Sequence, residues 1–526
     1  MTKAITFPNP RSNSDYTGPS SSISYIKFMS EDMGIDLNIP LHAPPVSNIK
    51  SSILPIKTKA QKLIQTFFTN NNSQLPILHR EIFLTEVYEP IYGSWNEIIS
   101  PPSTPFPITT STSNVPLEDT FIFKYANTIS HMIFSKKKLD NFILEPSDIP
   151  RRYHRPLFYI NMVFAIATSG AIDKSELYRK EGLKFINFNS TDPLEPLEVK
   201  LLVMSSCLVR SFSSEIWNML GQCLRICVIL RLHDSDSDTN LDPFTKDKRR
   251  RLFWCTYSLD RQICLNMGRP VGISDASIET RFPSELDDAF ITKQSVGVQD
   301  YSEISINRPS YKSISILFFL IRQLQSEMQR IVYEEYDIPK SFDTLDQWKI
   351  DFQRRLDDWL ETAHESQYVY CRYFDVELIS LNYNHTVLLL NAKYCKSSHD
   401  ALEKVVVASK NMISCYSKLH TKNFINYSCS NNLLMAGTSF LYGIYHCDYM
   451  KHKFPKHTVK NITEDCVNVL SSLCNSTKDC SRIFRKFTIE FFKRRYNEKC
   501  HASPGIARPV DIVGKSELNQ TEYFFF

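Results

Sequence analysis

Cysteine, histidine and regularly spaced aspartates are the side chains of this sequence most able to hold a metal, and their spacing tests whether they do. The 526 residues contain 14 cysteines and 13 histidines. No Cys-x2-Cys pair occurs in the sequence, which removes the usual local signature of a zinc site. Cys207, Cys223, Cys227, Cys255 and Cys264 fall in apolar stretches of helical spacing, and those from Cys371 to Cys500 are scattered. Free cysteine packs as a small hydrophobe. The thiols are therefore predicted to be core residues, and no metal or other cofactor is expected in this chain. The run Asp234, Asp236, Asp238, Asn240, Asp242 imitates the first ligands of a calcium loop. Thr239 stands where the sharp turn needs glycine, and Thr245 where the bidentate glutamate belongs. A solvated acidic linker is the better reading.

Catalytic templates fail in the same way. Gly514-Lys515-Ser516 ends like a phosphate-binding loop, but Pro509 occupies the first glycine position and no strand-like run leads in. His364-Glu365 begins a zinc-protease helix, yet Tyr368 replaces the second histidine. Gly437-Thr438-Ser439-Phe440-Leu441 lacks the second glycine of a nucleophile elbow. No catalytic residue is assigned, and the chain is not expected to be an enzyme.

The basic cluster Lys246, Lys248, Arg249, Arg250, Arg251 fits three roles: nuclear import, phosphate contact, or structural bonding between helices. Cations at a helix start oppose the macrodipole, so carboxylates such as Asp242, Asp247 or Asp260 should compensate. Planar guanidinium forks suit helix-to-carboxylate pairing, which favours the structural role. Lys493-Arg494-Arg495 near the last helix end suits the dipole and reads as a solvated face.

The elements that must position these residues read as helices. Hydrophobic residues make up 42% and charged residues 22%, the balance of a core-forming protein. Glycine numbers only 13, roughly a third of the usual ~7%, which argues against phosphate-cradling loops and tight hairpins. Net charge is +4, too weak for a dedicated nucleic-acid module. The N-terminus has no signal-peptide pattern. The most apolar run, Ile314 to Ile321, is far shorter than the ~20 residues that cross a bilayer. An intracellular protein with no membrane contact is expected.

Ile216, Leu220, Cys223, Leu224 and Cys227 form one apolar helical face, with Ser213 or Ser214 as N-cap. A second helix carries Leu252, Phe253, Cys255, Leu259 and Ile263 and stops at Gly268, with Pro270 just beyond. Further helices are predicted over roughly 311–335, 343–364, 372–395, 400–420, 430–448, 458–475 and 480–497. An all-α fold follows: a large multi-helix body with irregular loops and disordered ends. Residues 1–50 read as a mostly disordered leader, and 51–286 as a first helical part containing a Pro/Ser/Thr loop at about 100–117. Residues 287–310 read as a linker, 311–500 as a second helical part, and 501–526 as an irregular tail.

One ordered series carries a resemblance. Gly221-Gln222-Cys223-Leu224-Arg225-Ile226-Cys227 is followed by Leu230-Arg231-Leu232-His233, the acidic run, and Arg249-Arg250-Arg251-Leu252-Phe253-Trp254. Leu259-Asp260-Arg261, Met267-Gly268-Arg269-Pro270, Ile273-Ser274-Asp275 and Phe282-Pro283 complete it. The series resembles the middle homology region of fungal zinc-cluster transcription factors. Upstream, Leu54-Pro55, Phe67-Phe68 and Leu75-Pro76-Ile77-Leu78-His79-Arg80 look like that region's entry. Leu378 to Asn391, Met435 to Tyr442 and Cys466 to Leu470 resemble its later helices, so the likeness runs over about 50–495.

The resemblance implies a nuclear regulator of RNA polymerase II transcription. Its helical body would mediate homo- or heterodimerisation with related factors, sense a small-molecule effector or contact co-regulators. Family members bind two zinc ions through a six-cysteine cluster that reads DNA, and no Cys-x2-Cys-x6-Cys occurs in these residues. No DNA-binding residue is therefore carried over, and DNA contact should be weak or supplied by a segment or partner outside this chain. The alternative is a non-DNA-binding interaction protein or metabolite sensor that modulates a full-length relative. The motif residues Arg249, Arg250, Arg251, Phe253, Trp254, Asp260, Arg261, Gly268, Arg269 and Pro270 read as fold-setting. A buried carboxylate must be paired, so Asp260 is expected to bond an arginine such as Arg250, Arg251 or Arg269.

Overall fold

The computed structural model describes residues 20–35, 54–95, 119–122, 146–208, 214–238, 240–294, 297–304, 310–370, 374–422, 429–473 and 478–496. Among these residues the chain is all-helical, with no strand. The first helices are α1 (Ser22–Asp32), α2 (Lys57–Thr66), α3 (Arg80–Phe83) and α4 (Glu89–Tyr92). A layered group follows: α5 (His154–Ala167), α6 (Ile172–Leu183), α7 (Glu195–Leu208), α8 (Ser214–Ile229) and α9 (Pro243–Met267). The rest comprises α10 (Ser313–Met328), α11 (Leu345–Tyr370), α12 (Val376–Ala392), α13 (His399–Thr421), α14 (Cys429–His446), α15 (Asp448–Lys453), α16 (Lys456–Ser472) and α17 (Lys478–Tyr496). One apolar cluster runs from Ile26 to Phe492, so both halves of the chain share a core.

Helix α9 is the axis of the fold, and its ends follow from local chemistry. The Asp242 carboxylate accepts from the Thr245 N–H at 3.0 Å, and Pro243 fills a first-turn position that needs no donor. Gly268 closes the helix at φ +65°, a left-handed position that costs glycine little. Between those ends the helix is buried almost all round. Trp254 packs against Tyr257, Phe282 and Phe319, and its Nε1 donates to Arg281 O at 2.8 Å. Helix α9 contacts α8 on one side and α10 on the other, which joins the two halves.

In the later half, α12, α13 and α14 pack in succession, and α16 and α17 close over them. The approach at α14 depends on absent side chains. A Cβ on Gly443 would sit 2.0 Å from Val406 Cγ2, and one on Gly437 would sit 2.6 Å from the Phe484 ring.

Two segments outside the predicted helices carry ordered residues. The leader contains α1, whose Ile26, Met29 and Met33 are buried and which packs on α14. Its end is held by the Tyr442 hydroxyl, which donates to Asp32 Oδ2 at 2.7 Å, and by Arg494, which donates to Gly34 O at 2.8 Å. An 11-residue helix is marginal alone, so only the tertiary surface reveals it. Lys493 and Arg494 are exposed, Arg494 while making that contact, and Arg495 pairs with Asp448 at 2.5 Å. The described residues of the 287–310 segment, read as a linker, pack onto the body. Asp288, Ile291 and Tyr301 are buried, and Ser310 Oγ donates to Glu285 O at 2.6 Å. The loop at 100–117, the tail 501–526 with its Gly514-Lys515-Ser516, and the Ser213 cap lie outside the described residues.

Candidate functional site

Three consecutive arginines on α9 point in three directions because each residue advances the helix by about 100°. Arg249 Nε donates to Asp238 Oδ1 at 2.8 Å, and its Nη2 donates to Leu230 O at 2.9 Å. Arg250 grips Asp300 with both terminal nitrogens at 2.8 Å each. Arg251 donates through Nε to Pro76 O at 2.9 Å and through Nη1 to Asp288 Oδ1 at 3.0 Å. All three guanidinium groups thus bond within the protein. Lys248 adds a contact at 2.7 Å to Asp192.

Asp288 lies at the centre of this lattice, fully buried. It receives Arg251, the Lys312 ammonium at 3.0 Å, the Arg80 N–H at 2.7 Å and the Tyr311 hydroxyl at 2.7 Å. Burial opposes its charge, but Arg251 and Lys312 outweigh that and hold the carboxyl well below the usual range. Asp300 behaves alike: burial raises it, while Arg250 and Ser302 bring it down to about 2. Sequence reasoning missed both residues, since neither lies in a motif. The only signal was indirect: a buried basic cluster demands distant carboxylates.

Asp260 is buried and bonds an arginine, though not one of the three examples named from the sequence. Arg250 and Arg251 bond elsewhere, and the guanidinium of Arg269 stacks over Trp217 at 4.5 Å. The partner is the neighbouring Arg261, whose Nη1 donates to Asp260 Oδ2 at 2.7 Å. Gly272 N–H also reaches Oδ2, at 3.2 Å. The chain turns back after Gly268 and Pro270, bringing the Ile273–Asp275 stretch over α9, so adjacent residues can share one network. Arg261 continues to Ile273 O at 2.6 Å and Asp275 Oδ1 at 2.9 Å, and lies 4.0 Å over the Tyr257 ring. Burial pushes the Asp260 carboxyl up, and the Arg261 charge offsets this only in part.

The acidic run is not simply solvated. Asp238 turns inward to Arg249 and Arg250, and Asp242 caps α9, while Asp236 is exposed. Among the described residues no group of three histidine, cysteine or acidic side chains is placed to hold a metal. Thr438 and Ser439 in the failed nucleophile motif are buried and donate back to Leu434 O and Met435 O. His364 lies half-buried on α11.

Two cavities border these helices. The larger, about 770 Å³, is walled by Arg155, Lys248, Arg249 and Arg251 with Asp192, Glu195 and Asp247. Its charges are already paired across the arginine lattice. The second, about 420 Å³, lies between the end of α2, the C-terminal turns of α9, and helices α10, α12, α13 and α14. Arg322 and His385 line it.

Burial drives the imidazoles of His79 and His385 down to about 4. His79 Nδ1 accepts from Ile82 N–H, which leaves Nε2 to donate to Ile291 O at 2.9 Å, the pattern of a neutral ring. The unfolded chain takes up a proton at each imidazole below about pH 6.5, whereas the folded chain resists until near pH 4. Stability is therefore complete above about pH 6.5 and falls toward pH 4, by at most about 3 kcal/mol per imidazole. Urea midpoints measured between about pH 7.5 and about pH 5 should fall steadily. A flat profile there would place both rings in water.

A family model for the fungal specific transcription factor domain matches residues 64–361, which contain the whole arginine lattice. The chain is 32% identical over 481 residues to pyrimidine pathway regulatory protein 1 of Saccharomyces cerevisiae, covering 84% of this chain and 52% of that protein. It is 26% identical over 528 residues to the positive regulator of purine utilization of Emericella nidulans, covering 84% of this chain and 47% of that protein. The chain thus spans about half the length of these curated relatives. No solved structure matches.

Proposed function

Because this chain belongs to the fungal-specific transcription factor family, we propose that it is a nuclear regulator of RNA polymerase II transcription whose helical body receives a signal. Two relatives are named for pyrimidine and purine metabolism, and the genes this chain controls are proposed to serve nucleobase metabolism. One observation carries the regulatory reading. Every motif arginine of α9 bonds inside the protein, to Asp238, Asp300, Asp288 or Asp275. The region is then a folded platform whose motif arginines are engaged within the protein. Dimerisation and co-regulator contact are proposed for its outer surface, as in the family resemblance.

A second reading, a metabolite sensor that modulates a full-length relative without contacting DNA, is favoured by the polar cavity beside Arg322. Tethering the chain to an unrelated DNA-binding domain upstream of a reporter tests the first reading. Transcription should change with the tethered chain, and an unchanged reporter under every nutrient condition overturns it. Responsiveness to a metabolite in that assay tests sensing.

For the chain by itself, DNA binding is expected to be weak, salt-sensitive and indifferent to sequence. Net charge is only +4, and base readout needs side chains held against base edges. Fluorescence anisotropy with duplexes of unrelated sequence checks this. Tight, sequence-selective binding at physiological salt without a partner would overturn it. Metal analysis of the dialysed protein should find no stoichiometric zinc.

A further inference from the structure

Arg322 is the one arginine of the described core whose burial has no electrostatic explanation inside the protein. It sits on α10, only 6% exposed. Its single hydrogen bond is from Nη1 to the neutral Gln325 amide, and its buried Nε has no acceptor. Among the described residues no carboxylate pairs with it. An unpaired buried cation is costly, and Arg249, Arg250, Arg251 and Arg261 on α9 each meet a carboxylate, so Arg322 asks for a compensating anion.

The space beside Arg322 suits one. The cavity of about 420 Å³ has no aspartate or glutamate in its wall. Its second cation, Lys422, already bonds Asp375 at 2.7 Å. Seven amide side chains face it, from Asn70 in the π turn after α2 to Gln262 and Asn266 at the end of α9 and Asn382 on α12. Asn382 donates to Leu378 O at 2.8 Å, which leaves its carbonyl oxygen available. π turns recur at functional sites because they re-aim backbone and side chains. His385 beside the guanidinium stays neutral at physiological pH, since burial and Arg322 both hold its pKa down to about 4. Phe318 and Tyr416 supply ring surface. A cavity of this volume takes a small metabolite.

We propose that this cavity is a binding site for a small organic carboxylate, with Arg322 receiving the carboxylate and the amides of Asn382, Gln262 and Asn266 reading its polar edges. The inference deepens the effector-sensing reading and rests on it for its biological meaning. It also joins the two halves of the fold: the wall is built from α2 and α9 on one side and α10, α12, α13 and α14 on the other. A ligand there would bridge them and shift the balance of any state in which they separate.

The test uses the full chain and two probes of one shape, nicotinate and nicotinamide, in thermal-shift and calorimetric titrations. Nicotinate should raise the unfolding midpoint with increasing dose, and nicotinamide should bind roughly tenfold or more weakly, the usual worth of a charge-assisted bond. Arg322→Gln should abolish the nicotinate shift. Without ligand, its midpoint should equal or exceed that of the wild type, because an uncompensated charge has been removed. Four outcomes overturn the proposal: equal shifts with both probes, no shift with either, a retained shift in Arg322→Gln, or a large fall in its unliganded midpoint. An Arg322-dependent shift with inorganic phosphate but not nicotinate overturns the ligand class. The reporter assay separates this from the sensing reading. A metabolite response that survives Arg322→Gln leaves sensing intact and removes this cavity from it. Arg322-dependent binding without any reporter response leaves the site intact and removes sensing.

Discussion

Asp288→Ala should destabilise the protein by about 5 kcal/mol, the upper end of the range for breaking a buried ion pair. The substitution takes the nearest counter-charge from two almost wholly buried cations at once, Lys312 and Arg251, of which Arg251 keeps only the more distant Asp247 at 3.8 Å. It also removes the carboxylate to which the Tyr311 hydroxyl and the Arg80 N–H donate. Water cannot replace the carboxylate without opening the contact between the Leu75–Arg80 stretch, α9 and the start of α10. Urea unfolding of the two proteins measures the difference. Should the alanine variant fail to accumulate, Asp288→Asn keeps the shape and removes only the charge, and a loss of about 3 kcal/mol is expected because Lys312 loses its ion-pair partner and Arg251 keeps only the more distant Asp247. A change below about 0.5 kcal/mol in Asp288→Asn, as for an ordinary surface substitution, would show that the lattice is not held by charge. Acid should act through the same residue. Its folded pKa is depressed, so its contribution is present above the ordinary carboxylate range near pH 4 and is lost only as pH falls well below that.

Asp260→Ala should cost about 3 kcal/mol, the lower end of the same range. Asp260 is just as buried, but Arg261 keeps a second carboxylate, Asp275, at 2.9 Å. The larger part of the loss comes from the cavity and from Gly272 N–H, which loses its acceptor. Burial already works against the Asp260 charge, which further limits what the pair contributes. Asp236→Ala, on the exposed side of the acidic run, should stay within about 0.5 kcal/mol. Equal, mild effects for Asp260 and Asp236 would contradict the placement of α9 in the core. Thermal midpoints of the three proteins under one buffer decide it.

The comparison of Asp260 with Asp288 also marks how far sequence reasoning reaches. Asp260 was legible because it interrupts an apolar helical face, and a carboxylate in that position has to be paired. Its partner was not legible. Arg261 is adjacent in sequence, and neighbours on a helix normally point about 100° apart. They meet here only because the turn after Gly268 carries Gly272, Ile273 and Asp275 back over the helix, giving both side chains a common set of partners. Asp288 gave no local sign at all. It lies 37 residues from Arg251, in a stretch whose composition suggested a linker. Helix α1 was hidden for a related reason: its apolar face has meaning only against α14.

By itself the sequence determined what depends on spacing along one helix. The 3.6-residue recurrence of apolar positions set the all-α class, and glycine scarcity excluded the common nucleotide folds. Asp242, Gly268 and Pro270 set the limits of α9, because capping and left-handed closure are local events. The absence of paired cysteine spacing left the thiols as core residues, and Cys223, Cys227, Cys255 and Cys264 are buried. Tertiary structure alone decided which carboxylate each arginine meets, and that Arg322 meets none among the described residues. Charge pairing acts across space between segments tens to hundreds of residues apart, such as Arg251 with Pro76 at a separation of 175. No periodicity records such a distance; only the packing of α9 and α10 against their neighbours does.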